Sequence, residues 1–347
     1  MGGEDMNIRI WSACLAAGLL AAAAAGCSSG QGGHGQLEKT DLVVEDFPSV
    51  DSAGLYIAEQ QGLFKAQGLD VTIAPVFTSS QQTVADIEKG KADISSGDYV
   101  TYMDNELLSN AHLEIIGEAS VLQPNQLALL VKGGSTITNL GQLVGKKVSV
   151  AAHNDIATLL IDSLLSDNGV PVSKVTLVPG TPLPADPALI SKGVFTAAPI
   201  PEPFVSEGEQ QYGLQMLADL DQGGTENFPI QGFAVTQTWA QQNPNTLKAF
   251  VTALDEGQEI ADTDRAAVEG AIEQPPLKVS RAIAAVIALP NFPTAIESTR
   301  LQRVLNDMIQ FDFLPKQDAS FQVSSITYVG NLATATGSDS GTGTTGG

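Results

Sequence analysis

Cysteine is almost absent from this chain. There are two, Cys14 and Cys27, both near the N-terminus. A body that starts at Cys27 has no second thiol, which excludes an internal disulfide and thiol catalysis. Size must stabilise it instead, and a body of about 300 residues can bury a sizeable core. Basic residues are also scarce: 17 Lys and Arg stand against 39 Asp and Glu, for a net charge of −22. Such acidity argues against nucleic acid and against anionic lipid surfaces as partners. Only three histidines occur, His34, His112 and His153, and no Cys/His spacing suits a metal. Gly26-Cys27-Ser28-Ser29-Gly30 has Gly-x-Ser-x-Gly spacing but lies at the start of the N-terminal tether, and beyond residue 38 no Gly-x-Ser-x-Gly elbow, Walker loop or His-Glu-x-x-His is present. The expectation is a protein that is not an enzyme and needs neither cofactor nor metal.

What is present begins at the N-terminus. Arg9 precedes an apolar run over residues 10–25, which ends Ala24-Ala25-Gly26-Cys27. This describes a secretory signal, too short to read as a mature membrane span. Small residues directly before a cysteine resemble the bacterial lipobox. The resemblance implies cleavage before Cys27 and a diacylglycerol on its sulfur. Two acyl chains suffice for stable anchoring, so the expected location is the outer face of the bacterial cell membrane. An ordinary signal peptide with a chance cysteine is the competing reading.

Residues 27–38 are rich in Gly, Ser and Gln and read as a flexible tether. Residues 331–347, mostly Gly, Ser and Thr, read as a disordered tail. Between them, apolar periodicity alternates between strand and helix. Strands are expected at 42–44, 71–76, 92–95 and 113–117, with helices at 54–61, after Ser79, and at 99–108. A second series places strands at 127–132, 147–151, 174–178, 194–198 and 214–218, with a helical turn at 140–145 and helices at 155–165, 185–191 and 202–212. One more strand, 232–237, precedes helices at 245–260, 265–272, 278–288 and 297–311. This order predicts an α/β fold of two lobes, each an open, mostly parallel sheet flanked by helices. The first lobe is expected over 39–124 and 234–330 and the second over 125–233, with crossings near 123–130 and 229–237. Periodicity alone also allows a single larger α/β domain.

The stretch Gly54-Leu-Tyr-Ile-Ala-Glu-Gln-Gln-Gly-Leu-Phe-Lys-Ala-Gln-Gly-Leu-Asp-Val71 resembles the first helix and second strand of the ABC-transporter periplasmic solute-binding proteins for aliphatic sulfonates, nitrate, taurine and thiamine-pyrimidine precursors. Ile87-Glu-Lys-Gly-Lys-Ala-Asp-Ile94, Leu143-Val-Gly-Lys-Lys-Val-Ser-Val150 and Glu202-Pro203-Phe204 resemble later segments of the same family. The resemblance runs from about residue 40 to residue 328. It implies the type II periplasmic-binding-protein fold, a monomer, a small-molecule ligand and ABC permease subunits as partners. Two departures stand out. Thr196-Ala197 replaces an Asp-Ala pair, and His153-Asn154-Asp155 replaces the Gly-Ser-Thr of many sulfonate binders.

In open α/β sheets, ligands sit beyond the carboxyl ends of the strands. That rule selects Asp51, Ser52 and Ala53 after the first strand and Thr78 and Ser79 after the second. It selects Ser96, Gly97, Asp98 and Tyr99 after the third, and Gln123 after the fourth. The second lobe adds His153, Asn154, Asp155, Glu202 and Phe204. Several have plainer readings. Ser79 and Asp155 suit helix caps, and Gly97 suits a turn. Tyr99 and Tyr102 share a helix face, so one of them belongs to the core. Phe204 fits core and pocket wall equally. No Lys or Arg falls at a candidate position, whereas Asp98, Asp155 and Glu202 do. Carboxylates without basic partners disfavour an anion, so the expected ligand is neutral or cationic, of the amine or nitrogen-heterocycle class, despite the sulfonate and nitrate resemblance. The competing functions are a ligand-sensing lipoprotein without transport and an enzyme of the thiamine-pyrimidine synthesis type, which would need the missing Cys and His.

Overall fold

The structure, a computed structural model, describes residues 36–331. The signal peptide over 1–26, Cys14, Cys27, His34, most of the tether and the tail from 332 onward lie outside the described residues.

The chain starts in one lobe with β1 (Asp41–Asp46), α1 (Ala53–Gln60), α2 (Leu63–Ala66), β2 (Asp70–Pro75), α3 (Ser80–Glu88), β3 (Ile94–Asp98), α4 (Tyr99–Asp104) and β4 (Leu113–Val121). It continues in the second with β5 (Leu127–Lys132), β6 (Lys147–Ser149), α5 (Ile156–Asp167), β7 (Thr176–Val178), α6 (Asp186–Ser191), β8 (Ala197–Pro201), α7 (Phe204–Tyr212) and β9 (Leu214–Asp219). It then returns through β10 (Pro229–Thr236), α8 (Gln237–Gln242), α9 (Pro244–Thr263), α10 (Arg265–Ile272), α11 (Arg281–Ala284) and α12 (Ser298–Gln310).

Two five-stranded sheets result, ordered β2-β1-β3-β10-β4 and β7-β6-β8-β5-β9. In the first, β2, β1 and β3 are parallel and β10 runs against both neighbours. In the second, β7, β6 and β8 are parallel and β5 runs against both neighbours. Each sheet is thus parallel but for one strand, and that strand is the first laid down after a crossing. The reason is geometric. A β-α-β unit ends its strands at the sheet's carboxyl edge, so a chain arriving from the facing lobe enters there and must run the other way.

The sequence pattern locates most elements within two or three residues. Alternation is clear in β1, where Leu42 and Val44 are fully buried between more exposed neighbours. Helix α5 starts where Asp155 accepts a hydrogen bond from Thr158 N at 2.8 Å. Other elements differ. The expected helix over 278–288 shrinks to one turn, Arg281–Ala284, because Pro275-Pro276 and the left-handed Lys278 (φ 54°) prevent an earlier start. β8 begins at Ala197 rather than 194, since Val194 is exposed just past the turn that closes α6. β10 begins three residues early, at Pro229, where a proline can open a strand. The helix over 99–108 becomes α4 followed by a π-turn over Asn105–Ser109.

Helices α1 and α9 cross closely on the first sheet. A Cβ on Gly257 would land on the Gly54 carbonyl oxygen, so this crossing requires the absence of a side chain. Phe64 and Phe250 stack nearby with ring centroids 4.9 Å apart, worth about 1 kcal/mol beyond simple burial. Another apolar cluster contains Tyr99 and Tyr102 of the first lobe, Leu301 and Leu305 of α12, and Leu160 and Leu164 of the second lobe. It packs the lobes together along one side. Among the described residues, no helix is long and apolar enough to cross a membrane.

Candidate functional site

The carboxyl edges of the two sheets face each other across a narrow cleft of about 50 Å3. Its two walls differ. From the first lobe come Ser49 and Asp51 after β1, Ser79, Ser80 and Gln81 at the start of α3, Asp98 at the end of β3, and Gln231 of β10, with Phe47 and Ile230. From the second come Leu127, Ala151, Ile156, Ala157, Leu183, Pro199 and Pro201, with Asp155 the one ionisable side chain on that wall. No Lys, Arg or His lines the cleft.

A hydrogen-bonded layer backs the first wall. Asp46 is fully buried and accepts from Ser52 Oγ at 2.6 Å and from the Tyr56 hydroxyl at 2.5 Å. Gln231 Nε2 donates to Ser52 Oγ at 2.8 Å and to Ser96 Oγ at 2.9 Å. Asp51 accepts from Ser49 Oγ at 2.5 Å and from Gln126 Nε2 at 3.1 Å. Burial pushes the Asp46 and Asp51 carboxyls above the usual range, against these donors.

Asp98 and Asp155 are both helix caps and cleft residues. Asp98 starts α4, accepting from Thr101 N and Thr101 Oγ1, each at 2.8 Å. Asp155 starts α5, accepting from Thr158 N and Ala152 N, each at 2.8 Å. Burial is the main cause that lifts Asp155 to about 6, and the charge of Asp98 adds to it. Burial also raises Asp98, opposed by the Thr101 and Ser80 hydrogen bonds and by the Ile156 N–H from the other lobe.

The structure sorts the other sequence-derived positions by depth. Ser79 lines the cleft. Ser52 and Ser96 lie just behind it, holding Gln231. Ala53 is buried at the first turn of α1. Gly97 backs onto Ser80, whose Cβ would lie 2.9 Å from a Cβ at this position. Tyr99 is fully buried edge-on to Tyr102, with centroids 6.2 Å apart, and presses on Gly232. Both tyrosines therefore belong to the core. Gln123 bridges the two crossings, donating to Asn227 Oδ1 at 2.9 Å. His153 is exposed and does not line the cleft. Asn154 sits at the rim between lobes: its Nδ2 donates to Asp104 Oδ1 at 3.2 Å and its carbonyl accepts from Gln81 Nε2 at 2.7 Å. Glu202 is buried outside the cleft, accepting from Ser206 Oγ at 2.7 Å and from Ala288 N of the first lobe at 3.2 Å. Phe204 packs in the second-lobe core.

Several cleft residues escaped the sequence reading. Gln231 fell just outside a strand expected to start at 232. Pro199 and Pro201 fell beyond a strand expected to end at 198. Leu127, Ile156 and Leu183 carry only an apolar signal, which does not distinguish a cleft wall from a core. Among the described residues, no group of three or more His, Cys, Asp and Glu side chains could hold a metal ion.

The alkanesulfonate-binding protein SsuA from Xanthomonas axonopodis pv. citri, bound to MOPS, superposes with a TM-score of 0.69 at 17% identity, covering 84% of this chain and 98% of that one. The periplasmic nitrate-binding protein NrtA from Synechocystis PCC 6803 gives 0.71 at 17% identity, covering 84% and 86%. The Candida albicans CA3427 gene product, described as exhibiting the generic periplasmic binding protein fold, gives 0.70 at 15% identity, covering 85% and 98%. These likenesses establish the fold. No curated protein matches the chain in sequence. Residues 49–264, well over half of the chain, match the family model described as NMT1/THI5 like, and the chain belongs to that family.

Proposed function

We propose that this protein is the solute-binding subunit of an ABC importer, acting as a monomer and tethered outside the membrane by a lipid on Cys27. The solute is neutral or cationic and carries N–H donors, as an amine or a nitrogen heterocycle does. One observation carries this reading: the cleft between the lobes presents the buried carboxylates of Asp51, Asp98 and Asp155 and no basic side chain. The apolar second wall suits a solute whose opposite edge is hydrocarbon or aromatic. The two crossings, residues 122–126 and 220–228, are the proposed divisions between lobes.

A volume of about 50 Å3 is far below that of a typical ligand pocket, so solute access requires the lobes to part. The solute then bridges both walls, and closure follows because it binds the closed form better than the open one. The closed surface is what a permease would recognise. A sulfonate or nitrate is the second reading, favoured by the names of the structural neighbours and opposed by the carboxylates.

A thermal-shift screen tests the choice, because a ligand bound only to the folded form raises the melting temperature. In a buffer free of sulfonates and amines, amines and nitrogen heterocycles should shift it, and taurine, ethanesulfonate and nitrate should not. Tight binding of any of those three solutes, zwitterionic taurine included, defeats the proposal. Uptake in a deletion strain separates transport from sensing: unchanged uptake of the bound solute removes the transport role. Cys27→Ser should release the protein from the membrane fraction.

A further inference from the structure

Helix α5 begins in the cleft, where Ile156 and Ala157 both line it. It is 12 residues long. The free N–H groups and the dipole at such an end favour an anion. Here two of the protein's own carboxylates supply one. Asp155 caps the helix from its own lobe. Asp98 lines the same cleft from the opposite lobe, together with Asp155, Ile156 and Ala157, and the Ile156 N–H is among the groups that favour its charged form. Both side chains are 6% exposed, and among the described residues neither takes part in an ion pair.

We propose that Asp98 and Asp155 set the charge selectivity of the cleft: they take the place of an anionic ligand at the N-terminus of α5, excluding anions and drawing a positively charged N–H group between the two lobes. This rests on reading the cleft as the solute site. An anion would have to displace Asp98 and then lie beside Asp155. An ammonium or amidinium group relieves the repulsion between the two carboxylates, so its binding and lobe closure favour one another.

The test uses Asp98→Ser and the double variant Asp98→Ser/Asp155→Ser. Serine still accepts a backbone N–H at a helix start, so both helices keep a cap. Circular dichroism and urea unfolding confirm that each variant folds. Calorimetry at low salt then titrates sulfate, methanesulfonate, nitrate, ethylamine and methylguanidine. The wild type should bind neither sulfate nor methanesulfonate at millimolar concentration. Affinity for these anions should rise about tenfold in Asp98→Ser and about a hundredfold in the double variant, while cation binding is lost. A purely structural role would lower the unfolding midpoint without reversing the charge preference. One result overturns the inference alone: a wild type that binds a cation while neither variant gains anion affinity. A wild type that binds methanesulfonate as tightly as the double variant overturns the inference and the cationic-solute reading together. If no form responds to any solute, the solute-site reading falls with it.

Discussion

Both sheets set three parallel strands beside a reversed fourth, and both end those strands at the cleft. Yet the first lobe shows the cleft Ser49, Asp51, Ser79, Asp98 and Gln231, whereas the second shows Leu127, Ile156, Leu183, Pro199 and Pro201, with Asp155 its one ionisable side chain. The polar wall is prebuilt: Asp46, Ser52, Tyr56 and Ser96 hold its groups with buried hydrogen bonds. On the second wall only Asp155 is held this way, by Thr158 N and Ala152 N; in the proposed complex the rest of that wall would contribute by losing water. One topology thus carries one mostly polar and one mostly apolar cleft wall. The solute should have a donor-bearing edge and an apolar edge.

Four changes would break or sharpen that contrast, here from largest effect to smallest. Asp46→Ala removes the acceptor of two buried hydroxyls and should cost about 3 kcal/mol of stability by urea unfolding; a loss under about 1 kcal/mol would mean the first wall is not held by this network. Buried acids of both lobes should show in the pH dependence of stability. Burial lifts Asp155 and Asp162 to about 6 and Asp186 to about 7, from the usual 3.8. The folded chain holds these protons where the unfolded chain has lost them, so stability should fall as pH rises from about 4 to about 7. Asp255 at about 7 and Asp307 at about 6 push the same way from the first lobe. Asp186→Asn should stabilise by about 2 kcal/mol at pH 8 and leave pH 4 unchanged, because the buried carboxylate it replaces has one oxygen without a partner; a melting temperature that rises with pH over this window contradicts the assignment.

The third change probes the apolar wall. Leu183→Ala should weaken binding of the best solute from the screen about tenfold, with a stability cost of about 2 kcal/mol. Equal losses from Leu183→Ala and Gln231→Ala would erase the distinction between the walls. The smallest effect belongs to the rim. Asn154→Ala removes one hydrogen bond between the lobes, to Asp104, and should cost about 0.5 kcal/mol, leave the fold intact and weaken affinity slightly. X-ray scattering should then record a more open solute-free form; unchanged scattering and affinity would remove Asn154 from closure.

How much of this was legible in the sequence depended on the range of the interaction. Asp155 and Asp98 stood out because a carboxylate at a helix start is a local signal, and both do cap helices. Ser79 was singled out as a helix start; it stands there and lines the cleft, but its side chain makes no capping hydrogen bond. Tyr99 was misjudged because helical spacing places it on a face without saying that Gly232 lies beneath it. His153 drew notice by rarity, yet rarity says nothing about direction, and the side chain is exposed. Leu183 and Pro199 were invisible, since an apolar residue on a cleft wall looks like one in a core.

The order of elements, the strand-helix alternation, the caps and the excess of acid follow from the sequence by itself. Each depends on residues within a turn or two of one another, or on composition alone. Only the tertiary structure decided that the strand after each crossing runs backwards, that one wall is mostly polar and the other mostly apolar, and that Asp98 of one lobe shares a cleft with Asp155 and Ile156 of the other. Those outcomes depend on residues far apart in the chain, brought together by burial that no local pattern records.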